Sequence, residues 1–244
     1  MFARQWILIA ACVTSLTACF PAREISQDNA VDILSVNNRL SQMQQATVDG
    51  FSTPQINNQS LERLLVSRIS NNTVTGECHN NQGSFLFTRS ETDDVFSLVF
   101  DQCAGDDGGQ LDGALSGEFT SEDDSYSVVL SGDIDASKGN ESIALAPLTL
   151  SLGFTLSDTD ISFEMSHGGV YDYDTRFYKG KVTVETVEPI SFSSTTLSWT
   201  GKVNYTDSKG NVLTVEYDNN GVHLSFNSVH FKTYTTGEWL QKFN

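Results

Sequence analysis

Hydrophobic and polar residues alternate along most of the chain from residue 73 onward. Within residues 111–119, Leu111, Leu115 and Phe119 fall on one face of an extended chain, while small and acidic residues fall on the other. The same period of two recurs in residues 126–134, 148–156, 161–165, 182–184, 197–205, 213–217 and 222–226. This period is typical of antiparallel strands that bury one face and expose the other to water. The pattern predicts ten to twelve strands.

Turn signals separate several of these alternating segments. Asn219-Asn220-Gly221 and Ser208-Lys209-Gly210-Asn211 are typical of tight hairpin turns. A sheet with so many strands usually curls or closes, and glycines within the strands ease the bending. We therefore predict a mainly β fold over residues 73–244, an antiparallel meander that forms a curved sheet or a half-open barrel.

Residues 28–72 carry a different pattern. Apolar residues recur there at steps of three and four, at Ile33, Val36, Leu40 and Met43. Such spacing is typical of an amphipathic helix, and Asp28 and Gly50 are suited to its two ends. A second short helix is predicted to begin at Ser60. One or two short α-helices are thus expected to precede the sheet as a helical lead-in.

The first eighteen residues have the parts of a secretory signal. They contain one positive charge at Arg4, a short apolar run from Ile7 to Val13, and small residues before Cys19. The apolar run is well short of the roughly 20 residues that a membrane-spanning helix needs. Leu16-Thr17-Ala18-Cys19 resembles the lipobox of bacterial lipoproteins. The resemblance implies cleavage before Cys19 and attachment of acyl chains to that residue.

This resemblance divides the chain into four parts: a signal peptide (1–18), a lipidated tether (19–27), a helical lead-in (28–72) and an antiparallel β domain (73–244). Two or more acyl chains anchor a protein stably to a membrane. Among Gram-negative lipoproteins, Asp after the lipidated cysteine tends to retain the protein in the inner membrane, so Phe20 implies the outer membrane. An integral membrane barrel would alternate in the same way, but the lipobox and the expected helices argue against it.

Two cysteines, Cys78 and Cys103, remain once Cys12 has left with the signal and Cys19 is acylated. They flank two strand-like runs, residues 85–87 and 95–100, and a hairpin would bring them together. An exported protein meets an oxidising compartment. We predict a disulfide, which by the loop-closure argument contributes about 3 kcal/mol. A redox or metal-binding pair is the alternative, which the missing CxxC spacing disfavours.

The chain carries 14 Lys and Arg against 31 Asp and Glu, a net charge of −17. Such a charge repels phosphate backbones and anionic headgroups, which disfavours nucleic-acid partners and direct binding to anionic membranes. The simplest interpretation of the negative charge is that it keeps an exported protein soluble. Multivalent-cation binding is the alternative. The run that begins Asp133-Ile134-Asp135 starts like a calcium loop, but it lacks the glycine at position six and the glutamate at position twelve.

Recognisable catalytic motifs are missing from the sequence. It contains no GxSxG elbow, phosphate loop or dinucleotide fingerprint, and its four histidines, His79, His167, His223 and His230, stand apart from one another. We expect no enzyme constellation, no cofactor and no metal site. Paired carboxylates for glycoside hydrolysis stay open, because they can only be recognised by geometry. The aromatic residues of the C-terminal half suit either a sugar-binding face or core packing, of which core packing is the simpler interpretation; they are Tyr171, Tyr173, Phe177, Tyr178 and Trp199.

Two resemblances concern the β domain. The strand-and-turn pattern from Gly180-Lys181-Val182 through Gly201-Lys202-Val203 to Gly237-Glu238-Trp239-Leu240 resembles that of uncharacterised β-rich lipoproteins of proteobacteria. The lipobox and the order of helices and meander resemble, in architecture, the LolA/LolB-type lipoprotein carriers, whose half-barrel is closed by helices. Neither resemblance brings functional residues to this chain.

Three functions follow as hypotheses. The first is a lipid-anchored envelope lipoprotein with a non-catalytic binding or structural role, whose partner would be an envelope protein, a lipid or a polysaccharide. The second is a lipid- or lipopeptide-binding half-barrel, which needs an apolar cavity of roughly several hundred Å³. The third is a carboxylate-dependent hydrolase, which needs two acids across a cleft. The concave face of the sheet discriminates among them, according to whether it is packed with side chains, empty and apolar, or polar with convergent acids.

Overall fold

The computed structural model describes residues 22–35, 73–78, 82–90, 94–105, 108–122, 124–156, 161–196 and 198–243. It contains twelve strands: β1 Thr73–Glu77, β2 Ser84–Arg89, β3 Val95–Ala104, β4 Gln110–Glu122, β5 Ser125–Lys138, β6 Glu141–Leu156, β7 Ile161–Asp174, β8 Lys179–Ser193, β9 Ser198–Asp207, β10 Val212–Asp218, β11 Gly221–Phe226 and β12 Val229–Tyr234. They form one sheet in chain order, and β1 and β12 do not pair with each other. The predicted antiparallel meander is confirmed as an open twelve-stranded sheet.

Two helical stretches accompany the sheet. Residues 30–35 form helix α1, within the stretch where the periodicity predicts a helix. The expected continuation of this helix to residue 48 and the helix expected from Ser60 lie outside the described residues. Helix α2, Thr236–Phe243, was not predicted. It begins with a capping box, in which the Thr235 hydroxyl accepts from the Glu238 amide at 3.2 Å and the Glu238 carboxylate accepts from the Thr235 amide at 2.9 Å.

The hydrophobic core lies on one face of the sheet, which we call the inner face. Its buried side chains come from alternate positions of the strands, and they include Leu111, Ile134, Leu145, Tyr171, Val182, Val203, Leu213 and Leu224. Residues 22–35 cover part of this face. Ile25, Ile33 and Leu34 are buried in the same cluster as the strand residues. The N-terminal segment therefore completes the core of the sheet.

The turns of the meander lie at two ends of the sheet. Ala22 docks at one of them, the Ala22 end, where its amide donates to the Phe177 carbonyl at 3.0 Å and its carbonyl accepts from the Lys179 amide at 2.8 Å. The other end, the far end, carries the turn between β4 and β5, the turn between β8 and β9, and helix α2. Inner-face burial is greatest toward the Ala22 end. Near the far end the apolar residues are partly exposed, and Phe154 is 40% exposed.

The cysteine prediction can be checked in this fold. Cys78 follows β1 and Cys103 lies near the end of β3, both at the Ala22 end, and their Cα atoms are 5.2 Å apart at disulfide-bonding distance. The Cys78 amide also donates to the Gly83 carbonyl at 3.1 Å, which closes the β1–β2 turn beside the pair. The structure thus places the two cysteines at the distance that the predicted disulfide requires. Cys19 lies outside the described residues.

Candidate functional site

A groove of about 630 Å³ crosses the outer face of the sheet at the far end. Its floor is built from two neighbouring cross-strand rows on β4 to β9. The first row is Glu122, Ser125, Thr155, Ser162, Ser193 and Ser198, and the second is Thr120, Ser127, Gly153, Glu164, Ser191 and Thr200. Nine of these twelve residues are Ser or Thr, so the floor is an array of hydroxyl groups. We call this feature the hydroxyl groove.

The geometry of the array follows from the sheet itself. Strands β4 to β8 have 13 to 16 residues each, so they extend beyond the part of the core that residues 22–35 cover. Outward-facing positions on neighbouring strands lie about 4.8 Å apart, and successive outward positions on one strand lie about 7 Å apart. Six strands thus give a floor about 24 Å wide. The groove is elongated across the strands.

Hydrogen bonds between side chains organise part of the floor. The hydroxyls of Thr120 and Ser127 lie 2.5 Å apart, and those of Ser125 and Thr155 lie 3.3 Å apart. A hydroxyl has one donor and two acceptor positions. Each pair therefore keeps hydrogen-bonding capacity for a ligand while its geometry is held by its neighbour across the strands.

An aromatic row runs between the two hydroxyl rows, and four of its five residues also line the groove. Tyr126, Phe154, Phe163, Phe192 and Trp199 occupy one cross-strand row between the two hydroxyl rows, and they project to the inner face. The ring centroids of Phe154 and Phe163 are 5.1 Å apart, and those of Phe192 and Trp199 are 4.8 Å apart. Such contacts stabilise neighbouring strands. The row therefore stiffens the backbone that carries the groove.

Two carboxylates, Glu122 and Glu164, line the same groove. They stand on β4 and β7, three strands apart, so their backbones are separated by about 14 Å or more. Retaining glycosidases hold their carboxyl groups about 5 Å apart and inverting enzymes about 6.5–9.5 Å apart. The carboxyl groups of Glu122 and Glu164 would reach the separation found in inverting enzymes only if both side chains extended toward each other.

A second polar cluster lies on the outer face of β10 to β12. The Nε2 atom of His223 is 2.9 Å from the Asp218 carboxylate, and its Nδ1 atom is 3.1 Å from the Thr233 hydroxyl. That hydroxyl is also 3.2 Å from Nε2 of His230. The hydrogen bond from His223, followed by that from the Asn220 amide, holds the pKa of Asp218 below its usual value.

No pattern in the sequence links His223 to His230, whose rings lie 6.0 Å apart. They come together because β11 and β12 pair across the Asn227-Ser228 turn. A carboxylate, a histidine and a hydroxyl in hydrogen-bond contact are elements from which nucleophilic sites are built. Here Asp218 also accepts hydrogen bonds from the Asn220 and Gly221 amides in the β10–β11 turn. The hydrogen bonds of Asp218 thus stabilise the β10–β11 turn, and the cluster lies on the surface of the sheet.

The aromatic residues singled out in the sequence are divided between core and surface. Tyr171, Tyr173 and Tyr178 are 7%, 1% and 0% exposed, so they do not form a sugar-binding face, and core packing is confirmed for them. Phe177 is half-buried beside Ala22. Trp199 belongs to the aromatic row between the two hydroxyl rows.

The described part of the chain also bears on metal binding and membrane insertion. Within it, no group of three or more His, Cys, Asp or Glu residues is arranged to hold a metal ion. None of the helices described there is long and apolar enough to span a membrane. Comparison of the chain with protein families, with curated proteins and with solved structures finds no match. Function is therefore argued from the geometry of the hydroxyl groove.

Proposed function

We propose that the protein is a lipid-anchored lipoprotein of the outer membrane whose hydroxyl groove binds a polysaccharide without catalysis. The lipobox that ends at Cys19 supports the lipid anchor, and Phe20 after it supports the location in the outer membrane. The hydroxyl groove supports the binding role and is the observation on which the proposal depends.

The chemistry of the floor favours a ligand rich in hydroxyl groups. Ser and Thr both donate and accept hydrogen bonds, as sugar hydroxyls do. The only formal charges on the floor are negative, on Glu122 and Glu164, so an anionic polymer is disfavoured. The ligand class that fits is therefore a glycan that is uncharged or carries amines.

The width of the floor favours a chain over a single sugar. One hydrogen bond between neutral groups contributes only about 0.5–1.5 kcal/mol after its exchange with water. Useful affinity then requires many contacts at once, and a floor that spans six strands offers them to an extended ligand.

The proposal is tested with the mature chain, with insoluble chitin and soluble chitooligosaccharides, both uncharged glycans, as probes. The variant Thr120→Val/Thr155→Val/Thr200→Val removes three floor hydroxyls and keeps the shape of each side chain. Thr183→Val, on an exposed position of β8 outside the groove, is the matched control. We expect co-sedimentation with chitin or measurable oligosaccharide binding, weakened about 100-fold in the triple variant. Unchanged binding by the triple variant, or no binding to either probe, would contradict the proposal.

A hydrolase is the second candidate, because the groove holds two carboxylates. Glu122→Gln and Glu164→Gln separate the two functions. A binding protein releases no reducing ends from the probes and retains most of its affinity in either variant. Release of reducing ends by the natural chain, abolished in one variant, would favour the hydrolase.

Lipid binding is the third candidate, and one observation favours it. The partly exposed apolar row on the inner face, which includes Phe154, is the kind of surface that acyl chains contact. Against it, nine of the sixteen residues that line the hydroxyl groove are Ser or Thr, two are Glu and only four are aromatic, whereas a lipid cavity is lined mainly by apolar groups. Binding of a fluorescent fatty acid to the natural chain, lost in Phe154→Ser and retained in the control Thr183→Val, would favour the lipid-binding candidate.

A further inference from the structure

A second cavity, of about 920 Å³, lies at the Ala22 end of the sheet. Positive groups line one part of it: Arg23 of the N-terminal segment, Lys179 at the start of β8 and Lys209 in the β9–β10 turn. Carboxylates line another part, on β5 and β7; they are Asp135, Asp172 and Asp174. We call this feature the zwitterion cavity.

Strand register places two of the carboxylates close to each other. Asp135 and Asp172 lie in one cross-strand row with Ala144 between them. Because Ala144 is small, the carboxylates flank an open position on the outer face. Asp135 makes no ion pair with the described residues, and Arg23 makes none either.

The remaining charges of the cavity are only loosely paired. The Nζ atom of Lys179 is 2.7 Å from the Asp174 carboxylate, that of Lys209 is 3.8 Å from Glu24, and that of Lys181 is 3.9 Å from the Asp172 carboxylate. The side chains of these three pairs are 49% to 67% exposed, and exposed pairs of this kind contribute little free energy. A ligand can therefore replace them at small cost.

The mixed lining selects the kind of ligand. An anion alone would face three carboxylates, and a cation alone would face three positive side chains. A ligand with a phosphate and a separate primary ammonium satisfies both parts with charge-assisted hydrogen bonds. A quaternary ammonium has no N–H to donate to the carboxylates, so it would satisfy only the positive part.

The position of the cavity indicates the source of such a ligand. Ala22, hydrogen-bonded into this end of the sheet, follows Cys19 by three residues. A chain of that length spans at most about 11 Å. If Cys19 carries the lipid, as the proposed function holds, the zwitterion cavity lies within reach of the headgroups of the membrane that holds the anchor.

We propose that the zwitterion cavity binds the phosphoethanolamine headgroup of a phospholipid in that membrane. Arg23, Lys179 and Lys209 contact the phosphate, and the carboxylates of Asp135 and Asp172 accept hydrogen bonds from the ammonium group. This contact orients the domain on the bilayer, with its Ala22 end toward the headgroups. It is compatible with the net charge of −17, because the headgroup has no net charge to be repelled.

The test uses the mature chain with Cys19→Ser, so that acyl chains make no contribution. Flotation is measured with vesicles of phosphatidylcholine and with vesicles in which part of it is replaced by phosphatidylethanolamine. We expect about tenfold more binding to the second kind, because only the primary ammonium can donate to the carboxylates. Equal binding to both kinds of vesicle would overturn the proposal.

Two variants show whether the cavity is responsible. Asp135→Asn/Asp172→Asn removes the partners of the ammonium group and should abolish the preference. Asp133→Asn, on an exposed outer position of β5 outside the cavity, is the matched control. A preference that survives the double variant would place the contact elsewhere and overturn the proposal. The test needs neither lipidation nor glycan binding, so its failure is distinct from failure of the proposed function.

Discussion

At the scale of single residues, Asp207 holds the N-terminal segment on the sheet. Its carboxylate accepts hydrogen bonds from the Ile25 and Lys209 amides, both at 2.8 Å. It also accepts from the amide and the side-chain amide of Asn211, both at 2.9 Å. Burial alone would raise the pKa of Asp207, but the hydrogen bonds from Asn211, Ile25 and Lys209 outweigh it and lower the pKa. One carboxylate thus joins residue 25 to the β9–β10 turn.

Asp207→Asn is expected to loosen this junction. A hydrogen bond to a charged group contributes about 1.5–3 kcal/mol, and we expect a loss of that size in the free energy of unfolding at neutral pH. Since the pKa of Asp207 is lower in the folded state, its contribution is present above its ordinary pKa of about 3.9 and lost as the pH falls through the folded value.

Urea denaturation at neutral pH and near pH 3 measures this contribution. The gap in stability between natural chain and variant should narrow at the lower pH. Asp112→Asn, at an exposed position of β4, is the control and should change little. A gap that is the same at both pH values would contradict the role of the charge.

At the scale of elements, close contacts between strands depend on glycines at irregularities of the sheet. The register of β6 and β7 shifts between Leu145 and Leu148, beside Pro147. Gly169 of β7 faces this irregularity with a φ of 141°, in a region that residues with a Cβ rarely adopt. A Cβ at Gly169 would overlap the carbonyl oxygen of Pro147. The irregularity in β6 and the glycine in β7 therefore require each other.

Gly169→Ala is expected to destabilise the fold by about 3 kcal/mol, because it combines backbone strain with a clash against the main chain. Gly153→Ala is the matched control, since a Cβ there meets its nearest atom, Cβ of Glu164, at an ordinary 3.8 Å. Thermal or urea denaturation of the two variants gives the comparison. Equal stability of the two variants would contradict this argument, because it would mean that β6 and β7 can move apart to accommodate the Cβ without loss of stability.

At the scale of the whole molecule, the two ends of the sheet have different chemistry. The Ala22 end combines the N-terminal docking site with the zwitterion cavity, and the far end carries the hydroxyl groove. On the proposed anchoring, the short link from Cys19 to Ala22 holds the first end close to the membrane. The groove then lies at the end of the molecule that is farther from the bilayer.

The anchoring is tested by cell fractionation. We expect the natural chain in the outer-membrane fraction and Cys19→Ser in the soluble periplasmic fraction, because the apolar signal alone does not span the bilayer. Phe20→Asp should move the protein to the inner membrane. A Cys19→Ser protein that stays fully membrane-bound would contradict lipidation as the anchor.

Alternation along the chain was enough to predict the fold class, the antiparallel meander and, within stretches of strand free of register shifts, the face that each residue occupies. A period of two assigns side chains to faces without any knowledge of neighbouring strands. The cysteine pair was also predictable, because a hairpin between two adjacent strand runs leaves little choice of partner. Helix α2 was missed even though Thr235 and Glu238 form a capping box, a signal that the sequence does contain.

Register and docking were decided only by the tertiary structure. The hydroxyl groove exists because Thr120, Ser127 and Glu164, from three strands, fall into one row, and a shift of one residue would send them to the other face. The meeting of His223 with His230 and the contact between Asp207 and Ile25 likewise join positions that the sequence does not link. Periodicity is a local property that fixes faces, whereas a site requires residues from distant strands to align, and only the packed sheet sets that alignment.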